Sequence, residues 1–462
     1  MKLLLTGCTG FVGQVLGKRL VQAGHQCVVL TRNPEKARRN SPFPAEFHKW
    51  DALKGAPKAK VFNGIEGVIN LAGENIAAKR WTKARKKALW DSRILALKHL
   101  REGMKDAGIK PSVFISASAI GYYGEAGDKI LTEDSAKGSG FLSDLCEAWE
   151  AEAKIIKEIS PETRLFIPRI GVVAGRGGGF LNEIMPLFKK GLGGPIGFGK
   201  HWMSWIHRED LAQLLVSAIS DSKMEGIANA VAPGAVRNKE FTKALAKAVG
   251  MPALFPAPRV ALKIAFGELS ELLLSSQRVE PEKLKESGFQ FKYPDIQSAL
   301  NAVVPTPGSH DELLVAEQWV SQPIEEVFEF YKDANNLERI TPPWLSFNVQ
   351  RVSTDEMQDG TEIEYKLKIR GLPIRWVSLI KEWSEPDRFV DTQIKGPYKR
   401  WYHRHEFERL GNGTLVRDHV EYSVPLGVLG KIFALPLVEK DVKTIFAYRN
   451  KVTHQIFEEA NA

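Results

Sequence analysis

The chain has 462 residues, of which 44% are hydrophobic and 26% charged, with a net charge of +9. At roughly 100–200 residues per domain this predicts two or three domains and excludes wholesale disorder. No apolar run approaches the ~18 residues of a spanning helix. The N-terminal run Met1–Gly7 is too short for a signal peptide. Three cysteines without metal-ligand spacing argue against a disulfide framework and for a reducing, cytoplasmic setting.

From residue 2 to about 120, short apolar strands alternate with helical stretches. Strands are expected at Lys2–Leu5, Gln26–Leu30, Val68–Leu71 and Val113–Ser116, with helices at Gly13–Ala23 and around Lys86–Lys105. Alternation of this kind predicts a doubly wound parallel sheet covered on both faces. The densest basic stretch, Lys79–Lys87, holds one aromatic, Trp81. With no nucleic-acid module around it, it reads as a solvated face, and no nucleic-acid partner is assigned.

Pro305-Thr306-Pro307-Gly308-Ser309 has the composition of a linker, which places domains at 1–304 and 311–462 and a linker at 305–310. The charge reverses across it. Residues 305–462 hold 20 Lys/Arg against 25 Asp/Glu, and residues 1–304 hold 44 against 30. Beyond the linker, successive strands are expected from Leu313–Val320 to Gly413–Tyr422. A helix starts at Pro323, and a longer one runs from Lys431 to about Glu459. Sequential strands with short turns predict an antiparallel sheet.

Thr6-Gly7-Cys8-Thr9-Gly10-Phe11-Val12-Gly13 joins the first strand to the first helix. Gly7 permits a tight turn, Gly10 lets backbone approach a pyrophosphate, and Gly13 packs helix on sheet. The helix N-terminus adds N–H groups and partial positive charge, so Gly7, Thr9, Gly10, Phe11, Val12 and Gly13 are assigned to a dinucleotide. The second strand ends in Thr31-Arg32-Asn33, without the acidic residue that binds a ribose 2′-OH. Thr31 and Arg32 suit a 2′-phosphate instead, which favours NADP(H) over NAD(H).

Thr6–Gly13, Asn70–Gly73, Ser116–Ser118 with Tyr122–Gly124, and Pro168–Gly171 resemble the ordered landmarks of extended short-chain dehydrogenase/reductases. Gly73-Glu74-Asn75-Ile76, Ser204–Leu211 and Gln277–Leu284 resemble one atypical branch, the epimerase-like family labelled nucleoside-diphosphate-sugar epimerase. The resemblance covers roughly residues 1–304. It implies a Rossmann domain with a small substrate lobe and bound NADP(H). Leu71, Ala72, Gly73, Glu74 and Ser116 would lie along the cofactor, Trp50 and Asp51 by the adenine, and Pro168 by the nicotinamide.

The larger family uses a Ser or Thr and a Tyr-x-x-x-Lys pair on a helix, the lysine lowering the tyrosine pKa. Ser118 fits the hydroxyl position. The following helix places Cys146 and Glu150 where tyrosine and lysine are expected. An acidic neighbour raises a thiol pKa, so the ordinary relay is unavailable. Tyr122 is a substitute candidate, and Cys146 reads first as a packed apolar residue and second as a reactive thiol. His207 reads either as a proton carrier or as a histidine satisfied by Asp210 or backbone. The glycine-rich loops Arg176–Gly179 and Gly191–Pro195 admit a ligand or are plain turns. The catalytic set is therefore Ser118, Tyr122, Cys146 and Glu150, acting on a small-molecule substrate.

Residues 311–462 resemble the START-like, Bet v 1-like helix-grip superfamily through Ser321–Phe328, Asn335–Pro343 and Gly396–Trp401. That implies an α+β fold around an apolar cavity and a hydrophobic ligand. Trp319, Trp344, Trp376, Trp383 and Trp401 line that cavity or fill a core. His403 and His405, two apart on a strand, share a face, and His419 is a third candidate ligand. No carboxylate stands in characteristic spacing with them, and no metal is assigned. Enzyme and non-catalytic NADP(H) sensor both stand as readings, with the enzyme first; the oligomeric state stays open.

Overall fold

The computed structural model describes residues 1–304, 311–425, 427 and 430–458. The chain divides into two compact units, Met1–Pro34 with Ala45–Ser309 and Glu35–Pro44 with His310–Ala462. The division departs from the sequence boundary in one respect, since Glu35–Pro44 groups with the second unit. The expected linker at 305–310 lies outside the described residues.

The first unit is built on a parallel sheet. Its first five strands are β1 (Lys2–Thr6), β2 (Gln26–Thr31), β3 (Glu46–Lys49), β4 (Gly67–Asn70) and β5 (Val113–Ser116). Across the sheet the order is Gly226–Ala230, Arg164–Ile170, β5, β4, β1, β2, β3. The winding reverses between β1 and β4, and the C-terminal ends there open the crevice used by ligands of doubly wound sheets. These strands are near-continuous apolar runs because both faces are covered. One face buries Leu4, Val28, Val68 and Phe114 against Leu97, Leu100 and Met104 of helix Ile94–Asp106 and Trp149 and Ala153 of helix Phe141–Lys154. The other is covered by helices Gly13–Gln22 and Arg208–Ser220, which pack on one another.

The single helix expected around Lys86–Lys105 is two, Lys83–Asp91 and Ile94–Asp106. Ser92 breaks it: its hydroxyl donates to the Leu89 carbonyl at 3.0 Å and accepts the Glu74 N–H at 3.0 Å. A serine that bonds local backbone offers the chain an alternative to the helical ladder. After residue 171 a smaller lobe gathers around Trp205, Phe188, Phe241, Leu245 and Leu300.

The second unit is an antiparallel sheet ordered Glu312–Val320, Gly413–Ser423, Arg400–Leu410, Arg388–Lys395, Leu372–Ser384, Glu362–Ile369, Asn348–Val352. Register shifts near Val377/Ser378 and Lys381/Ser384 bend it. Its inner face buries Ile363, Tyr365, Trp376, Ile380, Phe389, Phe407 and Val416 against Val327, Phe328 and Tyr331 of helix Ile324–Lys332 and against Phe457. The terminal helix is Leu435–Glu458, entered through a π-helical turn at Gly430–Ala434; Glu459 lies outside the described residues. Of the five tryptophans, Trp376 is core, Trp383 and Trp401 pack against it, Trp319 donates its indole N–H to the Leu410 carbonyl at 2.9 Å, and Trp344 is 56% exposed. The interior is occupied by rings. Phe328 stands edge-on to Phe407 at 5.4 Å and Phe389 stacks on His405 at 4.4 Å.

Candidate active site

The glycine motif forms the turn between β1 and its helix. A Cβ on Gly7, where φ is +72°, would lie 2.5 Å from the Leu71 carbonyl oxygen at the end of β4. One on Gly13 would lie 2.4 Å from the Cys8 Cα. Both glycines are thus required by the fold. Gly10 is different: a Cβ there would meet only the Gly7 carbonyl, at 3.2 Å, and Thr9 and Gly10 are exposed. The middle glycine leaves an open cradle that a side chain would fill, which fits a pyrophosphate laid on a helix N-terminus. Phe11 turns the other way. Gly175, Gly178 and Gly179 close on its ring, where a Cβ would come within 2.8, 2.5 and 3.2 Å. The Arg176–Gly179 loop is therefore glycine-rich because it packs on Phe11.

Thr31 closes β2, and its hydroxyl accepts the Asn33 N–H at 3.4 Å. Arg32 follows, its side chain 79% exposed and 3.8 Å from Glu74. Glu74 is shared with Arg85 at 3.2 Å. An ion pair this long and exposed contributes little, so the Arg32 fork is available to a stronger anion. Arg93, which the sequence reading missed, lies against Gly73 and donates to the Glu74 carbonyl at 3.2 Å. Trp50 is 7% exposed within the sheet core, and its indole N–H is taken by the Gly55 carbonyl at 2.9 Å. Asp51 pairs with Lys54 at 3.5 Å. Leu71 and Ala72 continue from β4; Ser116 and Pro168 are buried. Asn70 ties the strand ends together, accepting from the Thr6 hydroxyl at 2.6 Å and donating to Ser116 at 3.4 Å.

Ser118, Cys146 and Glu150 are all buried, Cys146 and Glu150 one turn apart on the Phe141–Lys154 helix. The Ser118 hydroxyl donates to Glu150 Oε1 at 2.8 Å. Glu150 is also gripped by Arg169, Nε to Oε1 at 2.8 Å and Nη2 to Oε2 at 2.9 Å, with both side chains 3% exposed. The same guanidinium donates to the Tyr123 hydroxyl at 2.9 Å and lies 3.5 Å from the Tyr122 ring centroid. Tyr123 donates onward to Asn229 at 2.7 Å. Burial works against the charge of Arg169, but Glu150's hydrogen bonds and charge outweigh it and hold the guanidinium above its ordinary range. Burial, then Glu150, pushes the Cys146 thiol up to about 11, so Cys146 is a neutral packed thiol at neutral pH. Arg169 was legible only as part of the Pro168–Gly171 landmark. A charged residue inside the apolar strand Arg164–Ile170 was the available signal that a buried partner exists.

His207 caps the Arg208–Ser220 helix, its Nδ1 accepting the Glu209 N–H at 3.2 Å. Burial lowers its pKa to about 4. Of its two sequence readings, the structure places it as a backbone-satisfied histidine. Asp210 instead accepts the Lys292 and Tyr293 N–H groups at 2.7 and 3.0 Å.

A second polar cluster lies inside the second unit. His403 and His405 do share a face, but His419 points elsewhere, 3.5 Å from Glu406. The groups that join the two histidines are Asp391 and Asp418, from the strands on either side. His403 lies 3.2 Å from Asp391 and 2.9 Å from Asp418. Their absence from any linear spacing explains why the sequence reading found no carboxylate partner.

Comparison with known proteins gives three family matches. Residues 3–230 match the NAD dependent epimerase/dehydratase family, residues 257–303 a domain of unknown function (DUF1731), and residues 320–446 the polyketide cyclase / dehydrase and lipid transport family. An epimerase family protein of Mycobacterium bovis is 37% identical over 305 residues, 66% of this chain and 98% of its own. The chloroplastic epimerase family protein SDR39U1 homolog of Arabidopsis thaliana is 36% identical over 309 residues, 66% of this chain and 87% of its own. The crystal structure of human epimerase family protein SDR39U1 with NADPH is 32% identical, with a TM-score of 0.59, and covers 66% of this chain and 99% of that one. With its buried Ser118–Glu150–Arg169 centre on a doubly wound sheet, the chain belongs to the epimerase family over its first two thirds and carries a polyketide cyclase-type domain after it.

Proposed function

We propose that the first unit is an NADP(H)-dependent oxidoreductase or epimerase-like enzyme acting on a small molecule around Ser118, without a tyrosine–lysine pair. The observation that carries this reading is the Ser118 hydroxyl, held at 2.8 Å by a carboxylate that Arg169 neutralises. It is supported by the open Gly10 cradle, by Arg32 where a 2′-phosphate would sit, and by NADPH in the human relative's structure. When bound, NADP(H) supplies or accepts hydride. Ser118 donates its hydrogen bond to Glu150, which leaves its oxygen lone pairs to accept from a substrate hydroxyl and fix the reacting carbon. Arg169 keeps Glu150 from repelling an anionic substrate, and burial of all three groups excludes water from them.

One observation favours a second reading. Cys146 is held neutral and Glu150 is locked to Arg169, so neither does the work of the tyrosine or the lysine whose place it takes. The unit would then hold NADP(H) as a sensing or structural ligand. Turnover of NADPH against a panel of carbonyl compounds and nucleotide sugars separates the two. The enzyme reading expects turnover that falls on the order of 10²-fold in Ser118→Ala and survives thiol blocking of Cys146. Tight NADPH binding with no turnover across the panel supports the sensor.

For the second unit, its family match and aromatic interior support the binding of a hydrophobic or aromatic compound. The rings that fill the interior must shift to admit it. The three buried free cysteines support a reducing, cytoplasmic location.

A further inference from the structure

We propose that Asp391, His403 and His405 form a site for one divalent transition-metal ion of the Zn²⁺ class, with Asp418 positioning the two imidazoles from behind. The three residues offer ligand atoms that lie within 4.8 Å of one another. Both histidines turn one nitrogen to the same oxygen, Asp391 Oδ2: His403 Nδ1 at 3.2 Å and His405 Nε2 at 3.6 Å. Ligand atoms about 2.0–2.2 Å from a tetrahedral Zn²⁺ stand about 3.3–3.6 Å apart. The two measured separations fall at the two ends of that range.

The outer nitrogen of His403 follows the pattern of metal-bound histidines, whose second ring nitrogen meets a carboxylate. His403 Nε2 is hydrogen-bonded to Asp418 Oδ1 at 2.9 Å, and His405 Nδ1 lies 2.9 Å from the same oxygen without hydrogen-bonding geometry. The free oxygen of Asp391 is held in turn, accepting from the Ser378 hydroxyl at 3.4 Å.

The cluster is also short of positive charge. All four ring nitrogens face carboxylate oxygen within 3.6 Å. Two neutral imidazoles own only two N–H groups between them, so two nitrogens present a lone pair to a carboxylate. Relief requires either two added protons or one ion of charge +2 at the Asp391 side. The two nitrogens there converge on one oxygen, Asp391 Oδ2, the arrangement that ligands of a single ion adopt. The set is two nitrogens and one hard oxygen, which suits Zn²⁺ or its neighbours and leaves a fourth position open. Asp391, 19% exposed where both histidines are 3% exposed or less, marks the side of entry. Arg449, buried beside Asp418 at 3.9 Å with Nε and Nη1 unpartnered, supplies donors for an anion that balances the added charge.

The test uses the full chain, stripped with a chelator and titrated with Zn²⁺ against a chromophoric competitor, then with Co²⁺ by visible absorption. One Zn²⁺ per chain is expected, with Co²⁺ giving the intense visible bands of a low-coordinate nitrogen-ligated site. Asp391→Asn and His405→Gln should weaken Zn²⁺ by 100-fold or more, Asp418→Asn by 10- to 100-fold, and His419→Gln not at all. Circular dichroism reports whether each variant is folded. Wild-type protein that takes up no Zn²⁺ and gives no Co²⁺ bands overturns the proposal, and that result stands even where the variants fail to fold. Equal affinity in folded wild type and His405→Gln overturns it as well.

Discussion

At the scale of single residues, charge placement separates cofactor choice from stability. Arg32 is exposed and loosely paired, so its removal should leave the fold intact. Arg32→Ala should lose a charge-assisted contact of roughly 1.5–3 kcal/mol, about ten- to hundredfold in NADPH affinity. NADH affinity should hardly change. Calorimetry with both cofactors checks this, and equal loss for both would remove the 2′-phosphate role. Buried histidines act on stability instead. His201 and His207 are both lowered by burial to about 4. Their folded values lie below the unfolded value of about 6.5, so the neutral forms add stability that is fully present above pH 6.5. That contribution is lost as pH falls toward 4, because the unfolded chain binds the protons first. Thermal unfolding should therefore drop across that window, and His207→Asn, which keeps an N-capping side chain, should make the drop shallower.

At the scale of elements, the glycine turn assigns separate tasks to its three glycines. Gly7→Ala places a Cβ 2.5 Å from backbone at a φ of +72° and should destabilise the first unit outright. Gly10→Ala meets nothing closer than 3.2 Å, so its melting temperature should stay near wild type while NADPH binding is lost. A Gly10→Ala protein that still binds NADPH normally would move the pyrophosphate elsewhere. This turn was legible because it is local: strand, three spaced glycines and helix follow within a dozen residues. The doubly wound sheet was legible for the same reason, through strand–helix alternation. Arg169 and Asp391 were not, because each meets its partners only after strands have been set in register. Glu150 was singled out, yet its meaning changed once Arg169 was found against it. Ser92, which ends one helix and begins another, was hidden by a periodicity that continues on both sides of it.

At the scale of the whole molecule, the two units own separate cores. The apolar clusters of the second unit draw only on residues from Leu314 to Phe457. A fragment of residues 308–462 should therefore fold alone, about 150 residues being enough to bury a stable core. Cooperative melting and dispersed amide resonances would show it. The Glu35–Pro44 segment that groups with this unit is missing from such a fragment, so a molten fragment rescued by a longer chain would make that segment part of the domain. Tryptophans packed on the interior, Trp376, Trp383 and Trp401, make intrinsic fluorescence the natural probe for a ligand entering it.

The buried pair of Glu150 and Arg169 also sets the direction in which this protein can change. Substituting Cys146→Tyr and Glu150→Lys would restore the letters of a reductase, but not its chemistry. The new lysine would face a guanidinium sealed from water, and two buried like charges repel strongly where no solvent screens them. The tyrosine would press on Gly121 and Leu142, where even a Cβ on Gly121 would lie 3.6 Å from the present Cys146 sulfur and 3.3 Å from Leu142. Each single step is worse than its starting point until Arg169 has changed too. The tyrosine–lysine relay is behind a ratchet: reachable on paper in two substitutions, and closed in practice by a third residue that lies outside the Tyr-x-x-x-Lys motif.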